Sequence, residues 1–220
     1  MIIATKKVGP AKRSGQASRE QLLEVAALLF ARKGLQRVTL AEIAGEVGMS
    51  GPAIYNHFKS KDALFCEVVC MMYDEETSAF AEVLDPLDSV QEALQRLMEE
   101  VPRMYRDDGV LQLLSLTAML EAVRDPELFA EIFAAARRRD EVAIRLVERA
   151  KHKGELPAGI DAEELGSMLI SLFVGALGVR SLRASKHAQF VHSIEAMRNL
   201  LQMMGGRSGG KLKKAENASA

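Results

Sequence analysis

Between positions 39 and 61 the chain gathers side chains suited to holding phosphate and meeting base edges. Thr39, Ser50 and Tyr55 carry hydroxyls, His57 an imidazole and Lys61 an ammonium, all able to bind phosphate oxygens. Gly51, Pro52 and Ala53 are small enough to approach thymine methyl groups in a major groove, and Asn56 has an amide of the kind that reads an adenine edge. No Ser/His/Asp order, phosphate-cradling glycine loop or nucleotide fingerprint accompanies them, so an enzyme is not expected. Cys66 and Cys70 share a helix face, where a redox or soft-metal role is conceivable, but buried free cysteines are common and a structural role is favoured. His152, His187 and His192 have no ligand spacing with carboxylates, so neither a metal nor a cofactor is expected. Arg137, Arg138 and Arg139 read as a solvated helix face.

Residues that must meet DNA need short, closely packed helices to present them. Thr39 with Glu42 three residues on is a capping box that opens a helix over 40–47, and Gly48 ends it. Ser50 caps a helix over 51–57, with Pro52 tolerated in the first turn because amides there have no helical partner. Ser60 caps a fourth helix, whose early Asp62 suits the helix dipole. Upstream, Ser18 and Gln21 form another capping pattern, and Leu22, Leu23, Ala26, Leu29 and Phe30 line one face of a helix over 18–33. Ile43, Val47, Met49, Ile54 and Phe58 fall where they can close a small core against it, with Ala44 as a small contact surface. This is a helix-turn-helix, as opposed to a generic three-helix unit with a solvated polar face. Charge favours the former. Residues 1–62 hold ten Lys/Arg against five Asp/Glu, a net +5, whereas the rest hold 19 against 25, a net −6.

The run T-x-x-x-I-A-x-x-x-G-x-S-x-x-x-x-Y-x-H-F-x-S-K-x-x-L is present as Thr39, Ile43, Ala44, Gly48, Ser50, Tyr55, His57, Phe58, Ser60, Lys61 and Leu64. Over about residues 18–68 the chain resembles the TetR family of bacterial regulators. That resemblance implies a three-helix DNA-binding domain, a C-terminal domain of about six helices, and a homodimer on a palindromic operator. It also implies repression relieved by a small effector. Within its pattern Thr39, Tyr55, His57 and Lys61 look like phosphate anchors, and Gly51, Pro52 and Ala53 like groove-facing residues. Glycine at 51 departs from the longer polar side chains that many relatives carry there.

Composition fits an all-α chain. Apolar residues make up 48% and aromatics 5%, with no Trp, and no stretch shows a sustained period of two with β-branched residues. Further helices are predicted at about 61–83, 88–105, 110–123, 127–153, 162–181 and 187–204. The expected organisation is a basic arm over 1–17, a helix-turn-helix domain over 18–64, a larger six-helix effector-binding and dimerisation domain over 65–204, and a disordered tail over 205–220. The arm's Lys6, Lys7, Lys12 and Arg13 either follow the DNA backbone or enter a minor groove, or form a solvated tail. Leu165, Met168, Leu169, Ile170, Leu172, Phe173, Val174, Leu177 and Val179 cover most of one helix circumference, and Gly166, Gly175 and Gly178 admit a close neighbour. The segments 162–181 and 187–204 are therefore expected to form a four-helix dimer interface, a monomer core being the plainer alternative. Met98, Tyr105, Met119, Phe129, Phe133 and Phe173 are candidates to line a cavity for a small hydrophobic or aromatic effector, although each alone also reads as core packing. The longest apolar run is too short to span a bilayer and no signal peptide is evident, so no membrane role and a cytoplasmic setting are expected.

Overall fold

The structure, a computed structural model, describes residues 19–104, 110–182 and Asn199, without the side chains of 98, 101–104, 110–112 and 176–182. All regular structure among them is helical. In order these are α1 (Arg19–Lys33), a 3-10 turn (Leu35–Arg37), α2 (Leu40–Glu46), a second 3-10 segment (Gly51–Asn56), α3 (Lys61–Leu84), α4 (Val90–Met104), α5 (Val110–Arg124), α6 (Ala130–His152) and α7 (Ala162–Leu182). The all-α expectation holds over these residues. The basic arm, Ser18, the tail and, apart from Asn199, the helix expected over 187–204 lie outside the described residues.

Contacts divide the chain into two compact units. One runs to Glu76 and takes in Arg106–Arg137; the other comprises Thr77–Tyr105 and the chain from Arg138 onward. The domain cut expected at 64/65 falls inside α3, which contributes to both units.

In the first unit, α1 buries Leu22, Ala26 and Phe30, and α5 contributes Leu114, Ala118 and Ala122 to the same interior. Three rings link its elements edge-on. Phe30 and Phe65 lie 5.2 Å apart at 89°, and Phe65 and Phe129 lie 5.8 Å apart at 79°. Such pairs add about 0.5–1.5 kcal/mol each beyond the burial of their area. Glu121, buried on α5, accepts from Gln36 Nε2 at 3.3 Å and from Arg124 Nη1 at 2.9 Å, which satisfies a carboxylate otherwise costly to bury.

The second unit packs Phe80 of α3 edge-on against Phe173 of α7, with centroids 5.2 Å apart. The α3–α4 connection is held at both ends by polar groups. Arg149 of α6 donates to the Leu84 and Leu87 carbonyls, both at 2.7 Å, so the last turn of α3 keeps partners for its orphan acceptors. The Glu155 carboxylate accepts the Val90 and Gln91 amides at 3.1 and 3.0 Å, which caps α4 with a negative charge at its positive end. Gly166 lets α6 and α7 approach closer than alanine would, since a Cβ there would stand 2.7–2.8 Å from Ile144 side-chain and backbone atoms. Gly175 has nothing comparable near it.

Several expected boundaries move for identifiable reasons. α4 starts at Val90 and not at 88, because the Ser89 hydroxyl accepts the Glu92 amide at 3.1 Å and so marks the cap. α6 starts at Ala130 and not at 127, because Asp125 draws the Leu128 amide into a turn at 3.0 Å. The Arg137–Arg139 run is not uniformly solvated. Arg137 and Arg138 are exposed, but Arg139 is buried and donates to Asp140 at 3.4 Å.

Candidate nucleic-acid interface

The helix-turn-helix closes on apolar side chains that leave one edge outward. Ile43, Ala44, Ile54 and Phe58 are buried, while Val47 and Met49 are half-buried. The turn between the two segments depends on Gly48, whose φ of +73° is a left-handed conformation that side chains disfavour. Its amide reaches the Gly45 carbonyl at 3.0 Å, and the next amide, Met49, reaches Ala44 at 2.8 Å.

The second segment is a 3-10 helix over Gly51–Asn56, not the α-helix expected over 51–57. Its closing bonds span three residues, Ala53 N–H to Ser50 C=O at 3.0 Å and His57 N–H to Ile54 C=O at 2.9 Å. Six residues beginning Gly-Pro supply too few i→i−4 partners to favour the wider helix, since Pro52 has no N–H and Gly51 is a weak helix former. The expected Ser50 side-chain cap is likewise absent; its backbone carbonyl does that work, and the hydroxyl makes no capping bond.

The flanking caps form as expected. Thr39 Oγ1 accepts the Glu42 amide at 3.1 Å and Ser60 Oγ accepts the Ala63 amide at 3.0 Å. Glu42 also pairs with Lys33. The hydrogen bond from Lys33 holds the Glu42 carboxyl below its ordinary range; partial desolvation opposes this, and the Lys33 charge and Thr39 amide reinforce it. Arg19 forms a two-pronged pair with Glu67 and lies 4.9 Å over the Phe58 ring, fixing the start of α1 to α3 and to the helix-turn-helix core.

Thr39, Ser50, Pro52, Tyr55 and Asn56 are exposed, with Tyr55 61% accessible; Gly51, Ala53, His57 and Lys61 are half-buried. A Cβ at Gly51 would meet Ala41 Cβ at 3.6 Å, an ordinary contact, so its small size leaves the exposed edge shallow and no steric demand imposes it. Two of the cations counted toward the +5 are consumed by pairing, Arg19 with Glu67 and Lys33 with Glu42. Among the described residues of this basic segment Arg32, Arg37, Lys59 and Lys61 are in no ion pair, and the last three lie close in sequence to the cap residues of the helix-turn-helix. Arg37 and Lys59 enter the sequence only as part of the local charge, and their proximity to the cap residues Thr39 and Ser60 is the signal that marks them.

Of the six effector-pocket candidates, the four whose side chains are described lie in different surroundings. The second unit encloses a cavity of about 20 Å³, bounded by Leu84, Leu94, Leu97, Leu146, Ile170, Phe173 and other apolar side chains. Of the candidates whose side chains are described, Phe173 lines it. Phe129 is buried against Phe65 in the first unit, while Met119 and Phe133 are exposed. The Met98 side chain and Tyr105 lie outside the described residues. Cys66 and Cys70 are half-buried; Cys66 Sγ faces the Leu128 carbonyl at 3.9 Å. Burial foremost, then Cys70, Glu131 and Asp62, push the Cys66 thiol up to about 11. No helix of the described residues is long and apolar enough to cross a membrane.

A family model described as "Bacterial regulatory proteins, tetR family" matches residues 22–68, and one described as "Tetracyclin repressor-like, C-terminal domain" matches residues 64–193. The HTH-type transcriptional regulator UidR of Escherichia coli (strain K12) is 22% identical over 183 residues, spanning 83% of this chain and 91% of its own length. A Mesorhizobium loti protein solved as a TetR-family regulator superposes with a TM-score of 0.69 at 20% identity, covering 84% of this chain and 95% of its own. A Saccharomonospora viridis protein, described as a transcriptional regulator and solved with choline, superposes with a TM-score of 0.66 at 24% identity, covering 84% and 95%. The exposed polar edge on a helix-turn-helix and these matches agree: the chain belongs to the TetR family of bacterial regulatory proteins and is a helix-turn-helix transcriptional regulator.

Proposed function

We propose that this regulator is a cytoplasmic repressor that binds a palindromic operator as a homodimer and leaves it when a small hydrophobic effector binds. The observation that carries the DNA half is the exposed edge formed by Thr39, Ser50, Pro52, Tyr55 and Asn56 beside the unpaired Lys59 and Lys61. In this reading Thr39, Ser50, Tyr55, His57 and Lys61 hold phosphates, Gly51, Pro52 and Ala53 press into the major groove, and Asn56 meets a base edge. Residues 18–64 act as the DNA-binding domain and 65–204 as the effector and dimer domain, with pairing through α7 and the 187–204 segment. Met168 and Leu172, half-exposed on α7, are consistent with that pairing.

The apolar lining around Phe173 supports a hydrophobic effector, and the choline held by the Saccharomonospora viridis relative supports only that a small molecule can be the ligand. The cavity takes little more than one water at about 20 Å³, so an effector must part the helices to enter. That same smallness favours a second reading, a DNA-bound adaptor whose affinity no metabolite alters. Selecting genomic fragments with the purified chain separates these readings from failure. A two-fold motif supports the operator, and release of that fragment by products of neighbouring genes supports the repressor. Retention with every such compound supports the adaptor, and no enriched motif rejects both.

A further inference from the structure

α5 carries two apolar faces, and the packing of the first unit uses one of them. Leu114, Ala118, Glu121 and Ala122 are buried with α1 in the interior. Leu113, Leu116, Met119, Leu120 and Val123 instead stand 39–68% exposed. Four of these, 113, 116, 120 and 123, recur at intervals of three, four and three, the spacing of a coiled-coil seam. A helix that needs only to face solvent gains nothing from such a row.

We propose that this seam is a self-association surface on which α5 packs antiparallel against α5 of a second copy of the chain. The pattern itself selects that occupant. It reads the same in both directions about position 118, so a two-fold axis crossing α5 there sets Leu113 opposite Val123 and Leu116 opposite Leu120. No charge interrupts the seam between Leu113 and Val123 on the exposed face, so two copies meet without like-charge repulsion. The same lack of cations disfavours an anionic membrane surface or nucleic acid as occupant. The five side chains expose roughly 500 Å² per chain, so pairing removes about 1,000 Å² in total, the size at which an interface becomes specific. This surface is additional to the α7 pairing proposed above and does not require DNA.

Cysteine cross-linking in the full-length chain tests it. In a Cys66→Ser, Cys70→Ser background, Leu116→Cys and Leu120→Cys chains are mixed and oxidised at micromolar concentration. The antiparallel seam predicts a disulfide-linked heterodimer in severalfold excess over either chain oxidised alone. A Leu116→Glu, Leu120→Glu variant, checked for an unchanged thermal transition, is expected to weaken self-association by at least tenfold in sedimentation equilibrium. A mixture that cross-links no better than the single-cysteine controls overturns the proposal, whether the stripe then proves to be covered by another protein or left bare. An unchanged sedimentation profile of the folded glutamate variant overturns it equally. DNA binding measured in parallel reports on the other reading alone: a cross-link without DNA binding defeats that one, and DNA binding without a cross-link defeats this one.

Discussion

The Thr39 hydroxyl has two jobs that one substitution separates. It accepts the Glu42 amide at 3.1 Å, and on this exposed residue its O–H is able to donate to a phosphate oxygen. Thr39→Ala is expected to cost about 1 kcal/mol of stability through loss of the cap, measured by urea denaturation. The same variant should weaken binding to every duplex by a similar factor in filter binding, with Thr39→Ser restoring both. Weakened stability with unaltered DNA affinity would confine Thr39 to capping. Cys66 makes a pH-dependent prediction. Its thiol stays protonated up to about 11, so alkylation by iodoacetamide should be slow at pH 8 and accelerate as pH rises toward 11. Because an unfolded cysteine ionises near 8.5, the native chain binds the extra proton between these values. The stability Cys66 contributes is therefore present below about 8.5 and is lost as pH rises toward 11. Fast alkylation at neutral pH, read by mass spectrometry, would show the thiol to be activated.

Among the elements, the α6–α7 crossing is the most tightly determined. Alanine at 166 would bring a methyl within 2.8 Å of Ile144 backbone atoms, which cannot swing aside as a flexible side chain can. Gly166→Ala is therefore expected to destabilise the chain by about 1–3 kcal/mol, against the small gain that alanine normally brings to a helix. Thermal unfolding monitored by circular dichroism would show a transition lowered by several degrees, and a raised one would mean the helices can separate there at no cost. The 3-10 segment illustrates the opposite case. Its apolar anchor Ile54 is fixed and buried, but Gly51 and Pro52 leave its helical type to the closing bonds at Ser50 and Ile54. The hydrogen bonds that Arg149 donates and Glu155 accepts at the α3–α4 connection engage backbone groups, so the identities of residues 84, 87, 90 and 91 give no sign of them.

Charge works over the whole molecule. A formal net charge of −1 conceals a basic N-terminal part and an acidic remainder, and pairing of Arg19 and Lys33 narrows the usable positive charge to fewer groups than the count suggests. Lys61→Ala should weaken binding to all duplexes and reduce the slope of log affinity against log salt by roughly 0.9, one phosphate's worth. Tyr55→Ala should weaken binding to a comparable range of duplexes yet leave that slope unchanged, because a hydroxyl displaces no counterion. Titrations of operator and unrelated duplexes at several salt concentrations check both. Loss of discrimination at a single base pair, with non-specific affinity intact, would instead make either residue a base reader.

Read from residue types and spacing, the helical class, the caps at Thr39 and Ser60 and the buried set Ile43, Ala44, Ile54 and Phe58 were all legible. These depend on interactions between residues three or four apart, which a linear chain displays directly. The outward edge was legible for the same reason, because alternation with buried neighbours dictates it. What required the tertiary structure was every choice between distant partners. Glu121 reaches Gln36 from 85 positions away, Gly166 answers Ile144 across two helices, and Arg139 leaves its solvated-looking run for the interior. The apolar candidates Met119, Phe129, Phe133 and Phe173 divide between surface, ring stack and cavity by the same logic. Apolar character drives burial but carries no address, so which neighbour covers a side chain is decided only when the helices pack.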